Sequence, residues 1–301
     1  MDVGGLVTQQ QYLGLDGGGS TLRALTITDT GLTLASEQSG PANLLAVGEK
    51  RAREALGHVM TYDHYDGIVA GMAGADRPWV QKFWEAALQP FADRVLVVGD
   101  YRIAWAAFTD GAPGMITIFG TGSIFYGEHY GRKARIGGYG WKIGDIGSGI
   151  ALGRAAIRAT LAAWEGWGPK TALGQAVSAW SGAFTPETLL NYIYAPTMDW
   201  RSVSDLASSV FTEAEAGDEA ASAILGQQEQ DILRQWDTLI TAIHLSQTDS
   251  VGLMGGLATQ WKERLNGKWQ QHHGSSLITV TREPVDGAAH WAKRLGQTLG
   301  R

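Results

Sequence analysis

Two glycine-rich segments, one near the start of the chain and one well inside it, constrain the fold more than any other feature. They are Leu15-Asp16-Gly17-Gly18-Gly19-Ser20-Thr21 and Phe119-Gly120-Thr121-Gly122-Ser123. Apolar residues typical of strands precede and follow each segment, so each predicts the tip of a β-hairpin. Successive glycines let the backbone adopt positive φ and turn its N–H groups toward one point, which makes an anion site. The hydroxyls add donors and Asp16 adds a carboxylate, so two facing tips predict a clamp for a polyphosphate and its magnesium.

Other interpretations of these glycines are weaker. A single glycine-rich hairpin is often only a tight turn, but here both segments repeat the order strand, glycine with hydroxyl, strand. No G-x-x-x-x-G-K-[ST] motif occurs, which excludes a Walker A loop. A Rossmann dinucleotide site is disfavoured, because the first segment is followed by the alternating strand pattern around Leu25 and Ile27 rather than by a helix.

Composition narrows the class of protein. A chain of 301 residues is long enough for a large core and predicts two domains. The net charge of -6 argues against nucleic acid as a partner. The absence of cysteine excludes disulfides, iron–sulfur clusters and thiol catalysis, and it fits a reducing cytoplasm. No run reaches the length of a membrane span and the N-terminus does not resemble a signal peptide, so we expect a cytoplasmic protein with no membrane partner.

The hydrophobic pattern predicts an α/β protein. In the first hundred residues we predict strands at Tyr12–Leu15, Leu22–Thr28, Asp66–Met72 and Arg94–Val98, and helices at Ala46–Met60 and Trp79–Ala92. The pattern then restarts with strands at Met115–Phe119 and Ile124–His129, a helix at Ile146–Trp164, and a mainly helical stretch from Pro186 to Ser246. It ends with strands at Ser250–Met254 and Leu277–Val280 and helices at Leu257–Leu265 and Gly287–Leu299. This restart indicates a weak internal duplication of architecture, with Asp110–Gly114 as the predicted linker.

One carboxylate stands where α/β folds place reacting groups. Val97-Val98-Gly99-Asp100 is an apolar strand that ends in Asp100, directly before an apolar helix pattern. Asp100 is therefore a candidate catalytic residue. A simple N-cap of the following helix explains its position equally well.

A second carboxylate lies in the segment Ile136–Gly149, which holds six glycines. Tyr139 and Trp141 are interleaved with this constrained backbone around Asp145. Aromatic faces and a carboxylate suit a sugar, whose C–H face packs on rings while its hydroxyls donate hydrogen bonds. The alternative is a structural loop in which Asp145 caps the next helix. Two weaker candidates are the turn Gly40–Asn43 and the strand end Leu253–Gly256, whose glycines allow close approach of a flat ring.

Taken in order, these motifs resemble the N-acetylglucosamine kinase family, which groups with the ATPase subunits of benzoyl-CoA reductase type in the sugar kinase–actin–chaperone ATPase superfamily. The resemblance spans nearly the whole chain. The motifs that carry it are Asp16–Thr21, Asn43, Ala70–Gly74, Asp100, Gly120–Ser123, Gly137–Gly149, Gly255-Gly256 and Val285–Ala288. It implies two α/β domains of ribonuclease-H-like, actin-like topology with ATP in the cleft. The domains expected are 1–109, with a C-terminal helix about 286–301 packing back on it, and 110–285 with a helical insert.

The resemblance also implies roles for individual residues. Asp16 would hold Mg²⁺ through water, and Asp100 would be the general base. The phosphate-binding residues would be Gly17, Gly18, Gly19, Ser20, Thr21, Gly120, Thr121, Gly122 and Ser123. Gly255 and Gly256 would line the adenosine pocket. The sugar would contact Asn43, Asp100, Gly138, Tyr139 and Asp145.

The chain departs from the family pattern at three positions. Gly99 stands where the family has Asn, Ile146 stands where it has an acidic residue, and Tyr139 stands where it has Trp. The missing carboxylate at position 146 concerns the sugar rather than the phosphates, so it leaves the identity of the acceptor open.

From the resemblance and the motifs we expect an ATP-dependent kinase that phosphorylates an amino sugar, N-acetylglucosamine or glucosamine, at O6. ATP and Mg²⁺ are the expected cofactors, and the resemblance suggests a homodimer. The alternatives are a kinase for another small sugar and a non-catalytic ATP- or sugar-binding sensor of the same fold. A dehydratase- or reductase-activating ATPase is disfavoured, because its iron–sulfur cluster needs cysteine ligands.

Overall fold

A computed structural model describes residues 9–246 and 249–297. The strands are β1 (Gln11–Gly17), β2 (Leu22–Thr28), β3 (Thr33–Ser39), β4 (Gly67–Met72), β5 (Val95–Val98), β6 (Gly114–Phe119), β7 (Ser123–His129), β8 (Arg132–Gly137), β9 (Ser250–Met254) and β10 (Leu277–Thr279). The α-helices are α1 (Leu44–Gly57), α2 (Pro78–Leu88), α3 (Asp100–Thr109), α4 (Gly149–Trp164), α5 (Leu173–Ser181), α6 (Pro186–Ile193), α7 (Ala207–Glu215), α8 (Glu219–Ile243), α9 (Ala258–His273) and α10 (Pro284–Gln297). Short 3₁₀ helices occur at Gln89–Phe91 and Trp200–Leu206.

The chain divides into two compact units. The first contains the residues up to Ala112 together with those from Thr281 onward, and the second contains Pro113–Val280. Each unit has its own five-stranded sheet, ordered β3-β2-β1-β4-β5 in the first and β8-β7-β6-β9-β10 in the second. In both sheets the first three strands are antiparallel neighbours and the last two join in parallel. This repeat confirms the predicted duplication of architecture and the α/β class.

In the first unit, helices cover both faces of the sheet. Strand β4 is buried along its whole length, as expected for a central strand with helices on either side. Helix α10 packs against β1, β4 and α3, and glycines bring the backbones close together. A Cβ at Gly14 would lie 2.3 Å from Ala289 N, and one at Gly287 would lie 2.3 Å from Ile103 O. These glycines are therefore required by packing.

In the second unit, β7 and β8 pack against α8, while β9 and β10 pack against α9. Trp236 of α8 and Trp261 of α9 are fully buried in this core. A second apolar cluster joins α4 and α5 through Ile157 and Val177. The helical stretch predicted after Pro186 is present as α6, α7 and α8, with the 3₁₀ helix Trp200–Leu206 among them.

Several boundaries and two strands differ from the sequence predictions. Strands β3 and β8 were not predicted, because both are edge strands with largely exposed or half-exposed side chains and no apolar alternation. Helix α1 begins at Leu44 rather than at Ala46 and ends at Gly57. The helix predicted from Ile146 begins at Gly149, since Ser148 is its N-cap and its hydroxyl accepts a hydrogen bond from Ala151 N.

The ends of two further helices also differ from prediction. Helix α9 runs on to His273, eight residues beyond the predicted end at Leu265, and α10 begins at Pro284 rather than at Gly287. Residues 298 and 299 of the last predicted helix lie outside the described residues. Across residues 9–246 and 249–297, no helix is both long and apolar enough to cross a lipid bilayer.

Candidate functional site

The first glycine loop connects β1 to β2 and is fixed to the start of α1. Gly18 N–H donates to Thr21 O at 2.9 Å, which closes the tip of the hairpin. The carbonyl of Gly18 accepts hydrogen bonds from Ala42 N at 3.2 Å and from Asn43 N at 3.0 Å. Asn43 is the N-cap of α1, and its Oδ1 accepts from Leu45 N at 3.1 Å. The structure therefore brings Asn43 to the phosphate loop predicted from the sequence.

Two carboxylates lie at one edge of the first sheet. Asp16 near the end of β1 pairs with Gly71 of β4, and Gly71 pairs with Val98 of β5. Asp100 follows Val98 by two residues and begins α3. Because β1, β4 and β5 are parallel, the ends that carry Asp16 and Asp100 point the same way, about two strand spacings of ~4.8 Å apart. This is the edge at which α/β folds gather reacting groups.

The charge environment of this pair favours proton uptake. Burial, followed by the negative charge of Asp100, raises the pKa of Asp16 to about 6, and Arg23 opposes that shift. Arg23 faces Asp16 across the β1–β2 ladder, and its Nη1 donates to Glu283 Oε2 at 2.5 Å. Burial also raises the pKa of Asp100. Two desolvated carboxylates with the same charge form a site that a divalent cation would stabilise.

The immediate surroundings of Asp100 show how it is held. Gly99, not Asp100, is the N-cap of α3, so the capping alternative is wrong. Asp100 Oδ1 accepts a hydrogen bond from Tyr101 N at 3.0 Å, and the Tyr101 hydroxyl donates to Asp76 Oδ1 at 2.6 Å. A Cβ at Gly99 would lie 2.5 Å from the Tyr101 ring, which gives a steric reason for glycine at a position where the family pattern has Asn. Neither Asp76 nor Tyr101 was predicted, since no motif marks them.

The second glycine loop connects β6 to β7 and docks on the start of α4. Gly120 N–H donates to Gly122 O at 2.9 Å. The loop carbonyls accept from the first turn of the helix, since Gly149 N donates to Gly120 O at 2.8 Å and Ile150 N to Thr121 O at 3.2 Å. These bonds satisfy two of the backbone donors that a helix N-terminus leaves unpaired.

The predicted adenosine glycines lie beside the same loop. Gly255, with φ of 99°, packs against the end of β6, where a Cβ would lie 2.4 Å from Phe119 O. Leu257 N donates to that carbonyl at 3.0 Å. Gly256 follows without any atom within 4 Å of the position that its Cβ would occupy. Gly255, directly after β9, and Phe119, directly before the loop Gly120–Ser123, are therefore in contact within the second unit.

The side chain of Asp145 connects the glycine-rich segment Ile136–Gly149 to the second glycine loop, Gly120–Ser123. The residue is 5% exposed and has a φ of 71°. Its Oδ1 accepts a hydrogen bond from Gly140 N at 3.1 Å, and the backbone N–H of Ser123 also donates to its carboxylate. A Cβ at Gly122 would lie 2.7 Å from Asp145 Oδ2. Burial raises the pKa of Asp145. The alternative in which Asp145 caps the next helix is wrong, because Ser148 has that role.

The hydroxyls and aromatic rings of the predicted site have different surroundings. The Ser123 hydroxyl is buried and donates to Ile146 O at 2.6 Å, whereas Ser20 and Thr121 are exposed. Tyr139 is 62% exposed with the Arg135 guanidinium 5.6 Å from its ring centre. The side chains of Ser20, Thr121 and Tyr139 are therefore accessible to a ligand.

Trp200, which contacts the glycine-rich segment, was not predicted from the sequence. Trp141 stacks on Trp200 at 5.4 Å between ring centres. Gly138 has a φ of 68°, and a Cβ there would lie 2.6 Å from the Ile124 side chain, so the segment turns tightly against β7. Trp200 lies far along the chain in the helical region, and no local pattern distinguishes it from other tryptophans.

A metal ion beside the first glycine loop would have few ligands from the protein. Within residues 9–246 and 249–297, no group of three or more histidine, aspartate or glutamate side chains could hold a metal ion. Mg²⁺ commonly binds proteins through one or two carboxylates while keeping several waters. Asp16 fits that mode, because it is desolvated, lies next to the first glycine loop, and is close enough to the charge of Asp100 for its pKa to be raised.

Known proteins resemble this chain over almost its whole length. A model of the BadF/BadG/BcrA/BcrD ATPase family matches residues 13–292. The N-acetylmuramic acid/N-acetylglucosamine kinase of Clostridium acetobutylicum is 30% identical over 232 residues, which cover 73% of this chain and 76% of that protein. The N-acetyl-D-glucosamine kinase of Dictyostelium discoideum is 27% identical over 311 residues, 94% of this chain and 98% of that protein.

Solved structures share the architecture. A crystal structure of a candidate N-acetylglucosamine kinase from Chromobacterium violaceum superposes with a TM-score of 0.76 and 25% identity. The match covers 96% of this chain and 99% of that one. The likeness therefore includes both units.

Proposed function

Since the chain belongs to the BadF/BadG/BcrA/BcrD ATPase family, we propose that it is an ATP-dependent kinase that phosphorylates an amino sugar, N-acetylglucosamine or glucosamine, at O6. The observation that carries the proposal is the pair of desolvated carboxylates, Asp16 and Asp100, at one sheet edge beside a glycine loop. Relatives at 27% and 30% identity that are named as kinases of N-acetylated amino sugars support it.

Asp100 is proposed as the general base. Its carboxylate would accept the proton of the sugar hydroxyl as that oxygen attacks the terminal phosphorus of ATP. Burial raises its pKa, which makes it a stronger proton acceptor than an exposed aspartate. The hydrogen bond from Tyr101 N holds one oxygen of this carboxylate in place at the start of α3.

Asp16 is proposed as the residue that holds Mg²⁺ through water. When bound, the ion would neutralise charge on the transferring phosphoryl group. A cation near Asp16 would also relieve the repulsion from Asp100 that raises the pKa of Asp16. The donor set supports this proposal, since Mg²⁺ needs few protein carboxylates.

The two glycine loops are proposed to bind the phosphates of ATP. Phosphoryl transfer depends mainly on positioning and charge stabilisation, and both loops present backbone at hairpin tips next to exposed hydroxyls. Gly255 and Gly256 are proposed to line the adenosine site, because Gly255 brings the backbone directly against Phe119 and no atom lies within 4 Å of the position that a Cβ at Gly256 would occupy.

Asn43, Gly138, Tyr139 and Asp145 are proposed to contact the sugar. Asp145 would do so in addition to accepting hydrogen bonds from the backbone of Gly140 and Ser123, so its substitution would affect the acceptor and the loop together. We further propose that the enzyme works in the cytoplasm, where ATP is supplied, and as a homodimer. The family resemblance supports the dimer.

The first experiment measures ADP release from Mg·ATP by the purified protein. The acceptors are N-acetylglucosamine, glucosamine, N-acetylmannosamine, glucose and buffer alone. Strong stimulation by one amino sugar, with a product identified as its 6-phosphate by NMR, is the expected result. Binding of ATP without stimulation by any sugar would contradict the kinase assignment and favour the sensor alternative.

A further inference from the structure

A pocket of about 440 Å³ in the second unit adjoins the segment that carries Asp145. Its lining combines Ile143, Gly144 and Ile146 of that segment with Ala151, Arg154, Ala155 and Arg158 of α4 and Gln228 of α8. None of these residues has a role in the kinase reaction proposed above. The pocket therefore needs an explanation of its own.

The pocket carries positive charge without a compensating acid. Its lining contains two arginines and no aspartate or glutamate. Arg154 and Arg158 are four residues apart on α4, so their side chains lie on the same face of the helix. Arg154 Nη1 donates to Trp141 O at 3.2 Å, which anchors one edge of its guanidinium and leaves the other donors available. The Arg158 guanidinium has no hydrogen bond or ion pair with any other described residue.

Gln228 adds a neutral donor to the same pocket. Its Oε1 accepts a hydrogen bond from Gly147 N at 2.7 Å, which fixes the amide and leaves its amino group as the part that can donate to a ligand. Arg154, Arg158 and Gln228 thus present three side-chain donors around one pocket. Planar guanidinium groups are suited to carboxylate and phosphate oxygens.

The rest of the lining is apolar. Ile143 is 81% exposed, and Ile146 is half-buried beside it. Ile146 stands at the position where the family resemblance predicts an acidic residue, and an acid there would compete for the arginines. We propose that this pocket binds the carboxylate or phosphate group of a small organic anion, whose carbon skeleton lies against Ile143 and Ile146. It is a second ligand site, composed of residues other than those proposed for catalysis.

The test is isothermal titration calorimetry on the full chain without ATP or magnesium. The probes are inorganic phosphate, N-acetylglucosamine 6-phosphate, glucuronate and neutral N-acetylglucosamine. We expect at least one of the anionic probes to bind, and the double variant Arg154→Gln/Arg158→Gln to bind it at least about tenfold more weakly. Phosphate-bearing and carboxylate-bearing probes distinguish the two sources of the oxyanion.

The matched control is Arg51→Gln/Arg132→Gln, which removes the same number of charges from exposed positions on α1 and β8. It should bind the anion like the wild type. The variant Arg154→Lys/Arg158→Lys retains the charges and should bind more tightly than the glutamine variant. Absence of binding by all three anions, wild-type affinity in the glutamine variant, or equal losses in the lysine and glutamine variants would each overturn the proposal.

Sugar-dependent ADP release by the same variants is a separate readout. The arginines are not among the proposed kinase residues, so turnover with a neutral sugar should be retained. A protein that binds the anion through these arginines but phosphorylates no sugar would refute the proposed kinase and leave this second site in place.

Discussion

The two units have the same strand order, but their glycine loops are supported differently. In the first unit the loop lies beside Asp16 and Asp100, two desolvated carboxylates, and the charge of Asp100 raises the pKa of Asp16. In the second unit the carboxylate of Asp145 accepts hydrogen bonds from the backbone of Gly140 and Ser123, and it packs against Gly122.

This difference shows that one scaffold can use a carboxylate for two purposes. The carboxylates of the first unit are left with unfavourable electrostatics, which a cation or a proton relieves. The carboxylate of the second unit is a structural acceptor that fixes a loop. Substitutions that remove charge should therefore act mainly on chemistry and pH dependence in the first unit, while steric changes should act on stability in the second.

The largest effect is expected from Asp100→Asn. The amide cannot accept the proton of the sugar hydroxyl, so kcat should fall by about 10²–10⁴-fold while ATP binding is retained. Stopped-flow or steady-state ADP release measures kcat, and calorimetry measures ATP affinity. The control is Asp110→Asn at the other end of α3, an exposed position in the left-handed region that asparagine tolerates. Near-normal turnover by Asp100→Asn would remove this residue from the mechanism.

An intermediate effect is expected from Asp16→Asn, which should lower the kinase activity and raise the free energy of unfolding. The pKa of Asp16 is raised from 3.8 to about 6 in the folded protein. The contribution of Asp16 to the free energy of unfolding is therefore fully present below pH 3.8, and it is lost as the pH rises through about 6. Asp16→Asn should stabilise the magnesium-free protein by about 3 kcal/mol at neutral pH, with no gain at strongly acidic pH.

Urea unfolding at several pH values measures that difference, and the kinase assay should show that the variant loses most of its magnesium-dependent activity. In the wild type with Mg²⁺, activity should fall only below about pH 6, because the bound cation lowers the pKa of Asp16 from the value of about 6 that it has without the ion. A stability difference between variant and wild type that does not change with pH would contradict the electrostatic account of Asp16.

The smallest effect is expected on stability, from alanine substitutions at two glycines of the second loop. Gly122→Ala would place a Cβ 2.7 Å from Asp145 Oδ2, whereas Gly120→Ala would place one no closer than 3.9 Å to Gly122 O. We expect Gly122→Ala to lower the free energy of unfolding by about 1–3 kcal/mol and Gly120→Ala to change it by less than about 0.5 kcal/mol. Thermal unfolding without ligands measures both, and equal losses would mean that Asp145 does not limit the space at Gly122.

Much of the fold was predictable because its buried strands have local signatures. Strand β2 was predicted with its observed bounds, Leu22–Thr28, and β9 with Ser250–Met254. Strands β3 and β8 escaped because an edge strand with exposed side chains carries almost no apolar periodicity. The start of α4 was misplaced because Ile146 is apolar, although Gly147 with φ of 75° interrupts the helix pattern.

The segments of the candidate site could be predicted from the sequence if their glycines and carboxylates are close together along the chain. The roles assigned to Asp16, Asn43, Asp100 and Asp145 remain predictions, but the structure provides distances for their surroundings. Asp76, Tyr101 and Gln228 were missed because each acts through a partner distant in sequence. Such contacts depend on the tertiary fold, which local sequence patterns do not encode.

The position of α10 in the first unit has a consequence for synthesis of the chain. This helix covers Tyr12 and Val69 on one face of the first sheet, and its backbone fits against Gly14. Because α10 starts at Pro284, this apolar face stays uncovered on the ribosome until the second unit, which precedes α10 in the chain, has been translated. The second unit is continuous in sequence, so its fold needs no segment from outside Pro113–Val280, whereas the first unit is complete only when α10 has been added.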